Sequence, residues 1–461
     1  AGGESVGMSA VQLVANDGFL ERLTSRWADS AAHDEADWLK EVRARAAERV
    51  SELGLPSRRD EAWRFTDLSA LGALGGLEFE PAAAQTLHAP FADFERLIFP
   101  EAAATRLVFV NGHYAPELSD THDVPAGVTF THLRARQGAV HDLPVATHLT
   151  RHADINHDVF TAFNTSLFPD AALVHIARDV VCEHPLHLLF IATAQQGPVL
   201  NSPRCLVVSE RGSVCTLIEE YVGLGEGVTL TNAVSEMVVE EGAHLRHVRL
   251  QDEPRTAFHI ANHAVALARD ACYQSIAVTL GARLSRYNLD VKHQGPGAES
   301  TLEGLTLIGG QQLADTHSVI DHAASHGKST QLNKCIVDES AHAVFNGKIA
   351  VRRDAQMNDA KQQSRNLLLS ARARVNTKPE LLILADDVKC SHGATVGQLD
   401  EEQVFYLKCR GIADGAARNL LTYAFAAEIV EKIPLVSLRS RLSVIIMDRV
   451  HAHAAAAATT S

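Results

Sequence analysis

These 461 residues are predicted to form a mainly β body framed by helices at both ends. Three observations carry that prediction: one amphipathic helix pattern near the start, none like it from Arg106 to Gln398, and renewed helical signals from Asp400. In the first, Leu39, Val42, Ala46, Val50 and Leu53 step by three and four between Trp38 and Leu53, the spacing of one helix face. Gly54 reads as the C-cap and Pro56 ends the helix. The segment PSRRDEAWRFTDLSAL, Pro56 to Leu71, then sets two aromatics among charges ahead of another short helix.

Within the body, segments shorten and β-branched residues rise. Turn-like clusters recur at Gly212, Gly242, Asp270, Gly297, Ser340, Asp354, Arg372 and Asp387, in steps of 30, 28, 27, 43, 14, 18 and 15. Most steps lie near a unit of about 14 or a small multiple of it, a pitch that suits a β-solenoid or a β-sandwich and slightly favours the solenoid. At the far end DEEQVFYLKCRG has an acidic N-terminus and stops at Gly411, and a second helix runs from about Asp414 to Lys432, before Pro434. The expected division is 1–105 helical, 106–398 β, 399–450 helical and 451–461 a disordered tail. AGGESVG ahead of Met8 reads as a cloning scar.

Composition narrows the function. A net charge of −14 opposes nucleic-acid binding, which needs a Lys/Arg surface against phosphate. No apolar run approaches the length that spans a bilayer, so a cytoplasmic protein without a membrane partner is expected. Seven scattered cysteines with no CxxC pair oppose a disulfide framework, a zinc ribbon or a self-contained cluster site. Aromatics at 5%, with no row of carboxylates and rings, disfavour a polysaccharide-acting solenoid enzyme, the alternative from another class.

Chemistry concentrates in KCSHGATVGQLDEEQVFYLKCRGI, Lys389 to Ile412. On a strand, Cys390 and His392 project from one face, and a thiolate beside an imidazole is half of a soft-metal site. Gly393 would allow close backbone approach there. The plain alternative is a buried Cys beside a structural His. HGKST at His326 lacks the first glycine of a P-loop, since His322 stands at that position. Cys182 and His184 of VCEHPLH, with His187 beyond, could share a strand face but Pro185 interrupts it, and His317, His322 and His326 are spaced neither for one helix face nor for strand alternation. Cys335 and Cys409 are simplest as core or helix-packing thiols.

CSHGATVGQLDEEQVFYLKCRGI with AARNLLTYAFAAEIVEKI closely resembles the C-terminal signature of the SufB/SufD family of iron–sulfur cluster assembly scaffolds. RRDEAWRFTDLSAL, RLVFVNGHYAPELS, AVFNGKIAVRRDAQMNDAKQQSRNLLLS and KPELLILADDVKCSHGATVG agree, in order, along most of the chain. The likeness is to the SufD branch, because SufB carries an E-H-E-A-T-T pattern where this chain has CSHGATVG; the SufB-type primary scaffold is the alternative.

The resemblance implies a right-handed parallel β-helix between helical regions and a non-catalytic scaffold. Its partners would be a SufB-like subunit and a SufC-like ABC ATPase. It also implies that Cys390 and His392 form this chain's half of an iron or cluster site shared with SufB, holding its cargo transiently and nothing tightly alone. A reduced flavin on the complex and a homodimer of the isolated chain stay open. Inward positions should include Phe345, Ile349 and Val351. The C-terminal helices should dock the ATPase through Phe405, Tyr406, Leu421 and Phe425.

Overall fold

Residues 19–20, 23–24, 35–72, 80–81, 94–136, 145–194 and 197–460 are described by a computed structural model, without side chains beyond Arg449. The expected scar lies outside them. The body is a β-solenoid of about eight turns between residues 172 and 397. Each turn gives one strand to each of two sheets, and every pair along the solenoid is parallel. From Leu230 onward a turn takes 26 residues (Phe258 opposite Leu284) to 32 (His342 opposite Arg374), so the unit of about 14 is half a turn.

Gly and Asp punctuate the sequence because one corner of each turn is left-handed. Asp179, Gly212, Gly242, Asp270, Gly297, His326 and Met357 have φ of 60, 69, 64, 54, 74, 61 and 61°. Only glycine adopts this without cost, and Asp tolerates it better than most residues. The corners stack, with N–H donation from Gly212 to Glu241, Gly242 to Arg269, Asp270 to Pro296 and Gly297 to Ser325, each at 3.0–3.1 Å.

Alternate residues point inward and form one core along the axis, including Tyr221, Met237, Leu245, Val265, Val291, Leu302, Ile320, Ile349 and Val351. Phe345, Ile349 and Val351 are all buried, as the alternation predicts. One end is closed by the strand Arg106–Val110, parallel to Leu186–Thr193, and by Val128–His132, antiparallel to Ala172–Ile176.

Helices cover the outer faces. Helix α1, Asp37–Leu53, buries Leu39, Val42, Ala46 and Val50, while Leu53 is largely exposed. Gly54, at φ 64°, caps it by donating to the Val50 carbonyl. Helix α2, Val159–Leu167, has no counterpart in the sequence analysis: it is only nine residues long, and its polar stripe, Thr161, Asn164 and Thr165, is buried along with its apolar residues. Trp63 and the short helix Ser69–Gly72 pack with α2 against Leu230, Phe258 and Leu284 of the first sheet.

Toward the C-terminus follow α3 (Glu401–Cys409), α4 (Asp414–Val430) and α5 (Val436–Thr460). Helix α5 begins inside the stretch expected to be helical, as a helix separate from α4, and its helical backbone runs on to Thr460. Ile429, Val430, Ile433, Leu438, Leu442 and Ile446 lie on Ile218, Val248, Ile276, Leu305 and Ile336, the outer wall of the second sheet. These helices thus line the solenoid rather than hang beyond its end. Lys334, on the wall, donates to the Phe425 carbonyl at 2.7 Å and pairs with Glu428 at 2.5 Å. Among the described residues no helix is long and apolar enough to cross a membrane.

Candidate functional site

Residues Lys389–Gly397 form the last strand of the second sheet, parallel to Asp359–Leu368. Cys390, His392 and Ala394 stand opposite Ala360, Gln362 and Ser364, all of which are buried. The column through His392 runs back through Gln362, Gln331, Leu302 and Ser275 to His247. Cys390 and His392 therefore occupy inward-facing positions, two apart on one face as the strand period requires.

Among the described residues no further turn lies over them. Cys390 is half-buried beside the core, and His392 is exposed. Burial, with Asp359 nearby, pushes the Cys390 thiol up, so it is protonated at neutral pH, and a metal could bind it only by displacing that proton. A Cβ at Gly393 would meet nothing within 4 Å, so any close approach that this glycine permits comes from outside the chain.

The same end has two strand edges free of a next turn, Arg374–Ile383 and Lys389–Gly397. Leu382, Ile383, Leu384 and Val396 are exposed there. Open ladders beside exposed aliphatic side chains mark a surface made to be covered. Pro379, which has no N–H to donate, sits mid-strand on one of these edges.

The C-terminal helices divide the other four candidates. Asp400 caps α3 by accepting from the Glu402 N–H at 2.9 Å, and of that helix only Val404 is buried. Phe405 and Tyr406 are exposed at 67% and 56%. Leu421 is half-buried, lining a groove with Arg365, Thr395, Leu399 and Gln403. Phe425 is half-buried against the wall, with the Lys334 ammonium 4.1 Å from its ring centre. It belongs to the internal packing.

The lesser motifs resolve plainly. Lys328 of HGKST opens a strand, whereas a phosphate cradle opens a helix, and it pairs with Glu299 at 2.8 Å. Cys182 is buried beside Cys215, His187 is buried 3.0 Å from Glu220, and His184 is exposed. His322 is a core residue 2.9 Å from Ser329, while His326 is an exposed corner. Cys335 is buried and its thiol pushed up to about 12. Cys409 is exposed, which corrects its expected packing role: it falls on the outer face of α3.

One group escaped the sequence reading. Glu219, His247 and His263 are fully buried inside the solenoid, with their ligand atoms all within 4.8 Å of one another. They come from three strands, 28 and 16 residues apart in sequence, and only the turn register brings them together.

Comparison with known proteins gives a consistent picture. Residues 190–425 match the family model "SUF system FeS cluster assembly, SufBD core domain", and residues 20–188 match "SufBD protein N-terminal region". An iron–sulfur cluster assembly SufBD family protein of Synechocystis is 43% identical over 408 residues, 86% of this chain and 88% of the relative. The iron–sulfur cluster assembly protein SufD of Escherichia coli is 33% identical over 390 residues, 82% and 86% of the two chains. SufD of Bacillus subtilis is 24% identical over 429 residues, 91% and 96%.

Proposed function

The chain belongs to the SufB/SufD family of iron–sulfur cluster assembly proteins, and we propose that within it the chain is a SufD-type, non-catalytic scaffold subunit. Its uncapped last turn meets a SufB-like partner, and there Cys390 and His392 supply half of a site for iron or a nascent cluster. The family itself consists of assembly scaffolds in the SUF system.

The observation that carries the reading is the end turn. Two ligand types suited to iron share one inward face, on an open edge, beside exposed aliphatic residues. Two donors do not complete a coordination sphere, so the remainder comes from whatever covers the edge. A second solenoid fits, because its own terminal strands can extend the ladder across the joint. Iron is the cargo here. Cys390 gives up its proton on binding, and the exposed His392 ring offers a nitrogen without unfolding anything.

A SufC-like ATPase would dock at the exposed Phe405 and Tyr406 of α3, with Leu421 at the margin. The test is to co-purify the chain with SufB-like and SufC-like subunits and to measure iron and sulfide on the complex and on each subunit. Cluster on the complex, with little on this chain alone, is the expected result. A full cluster held by this chain in isolation would instead make it the SufB-type primary scaffold.

A further inference from the structure

We infer that Glu219, His247 and His263 form a binding site for one divalent first-row transition-metal ion, buried inside the solenoid about five turns from the open end. The donor set is two imidazoles and one carboxylate, which suits iron(II), cobalt(II) or zinc(II) and neither calcium nor magnesium. His247 Nε2 lies 2.9 Å from Glu219 Oε2, and His263 Nε2 lies 3.3 Å from Glu219 Oε1. Donors around an ion at about 2.1 Å stand about 3.0–3.4 Å apart, so little movement is needed to close on one.

The surroundings orient these donors. His247 Nδ1 meets the Tyr273 hydroxyl at 3.0 Å and His263 Nδ1 meets Tyr287 at 3.3 Å, so both rings turn Nε2 toward Glu219. Hydrogen bonds of this kind on the far ring nitrogen fix the tautomer of metal-binding histidines. Glu219 Oε1 accepts from the Tyr221 hydroxyl and, at 2.7 Å, from Ser235. Those donors anchor Oε1, the oxygen nearer His263, and leave Oε2 facing His247.

An unmet need points to a ligand. His263 Nε2 is fully buried, aimed into the triad, and makes no hydrogen bond. With Nδ1 turned to the Tyr287 hydroxyl, Nε2 is the ring nitrogen that faces the other two donors. Beside the triad, Arg249 is stacked over Tyr287 at 4.3 Å with its Nη2 2.6 Å from His259, which in turn lies 2.7 Å from Glu253.

Because the triad is fully buried, the ion enters as the chain folds. The test uses the full chain carrying Cys390→Ser and His392→Ala, which removes the soft ligands of the open end and keeps this inference separate from the docking reading. It is unfolded with chelator, refolded with cobalt(II), and desalted over chelating resin. The expected result is one retained cobalt per chain, with visible ligand-field bands and no thiolate charge-transfer band. Glu219→Gln and His263→Gln should each reduce retention at least tenfold, and Tyr273→Phe should weaken affinity about 10- to 100-fold. A refolded parent that retains no cobalt, or variants that retain as much as the parent, overturns the site. Should the variants fail to refold, the parent decides: a thiolate band or no retained ion refutes, and imidazole–carboxylate bands support.

Discussion

Asp315→Asn tests how the segment carrying RRDEAWRFTDLS is fastened to the solenoid. Asp315 is fully buried, bonded by the Thr66 hydroxyl and Arg286, with His317 Nε2 at 3.1 Å. Arg286 in turn donates to the Ala62 carbonyl at 2.9 Å and lies over the Trp63 ring at 4.4 Å. Burial opposes the Asp315 charge, but Arg286 and His317 outweigh it and hold the carboxyl at about 2. Against about 3.9 in an unfolded chain, that difference contributes about 2.6 kcal/mol at neutral pH. The folded pKa is the lower one, so this contribution is complete above about pH 4 and is lost as pH falls through about 2. Asn keeps the shape and removes the charge, leaving Arg286 buried and unpaired. The assay is hydrogen exchange of the Trp63 and Thr66 amides, which bond to the Asp60 and Trp63 carbonyls at 2.9 and 3.0 Å. If the segment opens locally, their exchange should accelerate roughly 50- to 100-fold at pH 7 and pH 5, and the gap should narrow toward pH 3. Unchanged exchange, or a gap that widens on acidification, would refute the linkage.

His392→Ala should leave folding and complex assembly intact, shifting stability by no more than about 0.5 kcal/mol because the ring is exposed. It should sharply lower the iron and sulfide found on the assembled complex, and Cys390→Ser should do so more mildly; normal cluster yield with His392→Ala sinks the shared site. Gly242→Ala meets no atom within 4 Å but sits at φ +64°, so denaturant melts should show a loss of about 1 kcal/mol from backbone strain alone. Phe405→Ala with Tyr406→Ala should weaken capture of the ATPase while the melting temperature holds; undiminished capture removes α3 from that interface.

The sequence disclosed what repeats and what alternates. Leu39, Val42, Ala46 and Val50 declared α1 because one face is apolar, and Ile349 and Val351 declared an inward face because alternate neighbours are not. The left-handed corners declared themselves through Gly and Asp from Gly212 to Gly297, but at His326 and Met357 the conformation persists without its usual residues, and there the pitch looked ragged. Helix α2 is too short, at nine residues, for its period to stand out, and its polar stripe of Thr161, Asn164 and Thr165 is buried. The pairing of Cys390 with His392 needs only the two-residue strand period and was legible. The Glu219 triad depends on which residue faces which across turns of 26 to 32 residues, a register that no local pattern encodes.

The position of α4 and α5 changes what a truncation can report. A helical pair projecting past the end could be removed at residue 400 without harm to the solenoid. Here the pair covers Ile218, Val248, Ile276, Leu305 and Ile336, and brings Arg441 to Glu220 and Lys432 to Glu303. Deleting residues 400–461 would expose that apolar wall and leave Glu220, fully buried in the intact chain, without its guanidinium. The expected product is an aggregating chain, seen by light scattering during purification. Its failure to bind an ATPase would then reflect lost folding rather than a lost docking surface. A soluble, monodisperse truncation with native β circular dichroism would show instead that the wall stands without its cover, and that these helices contribute little to the solenoid's stability.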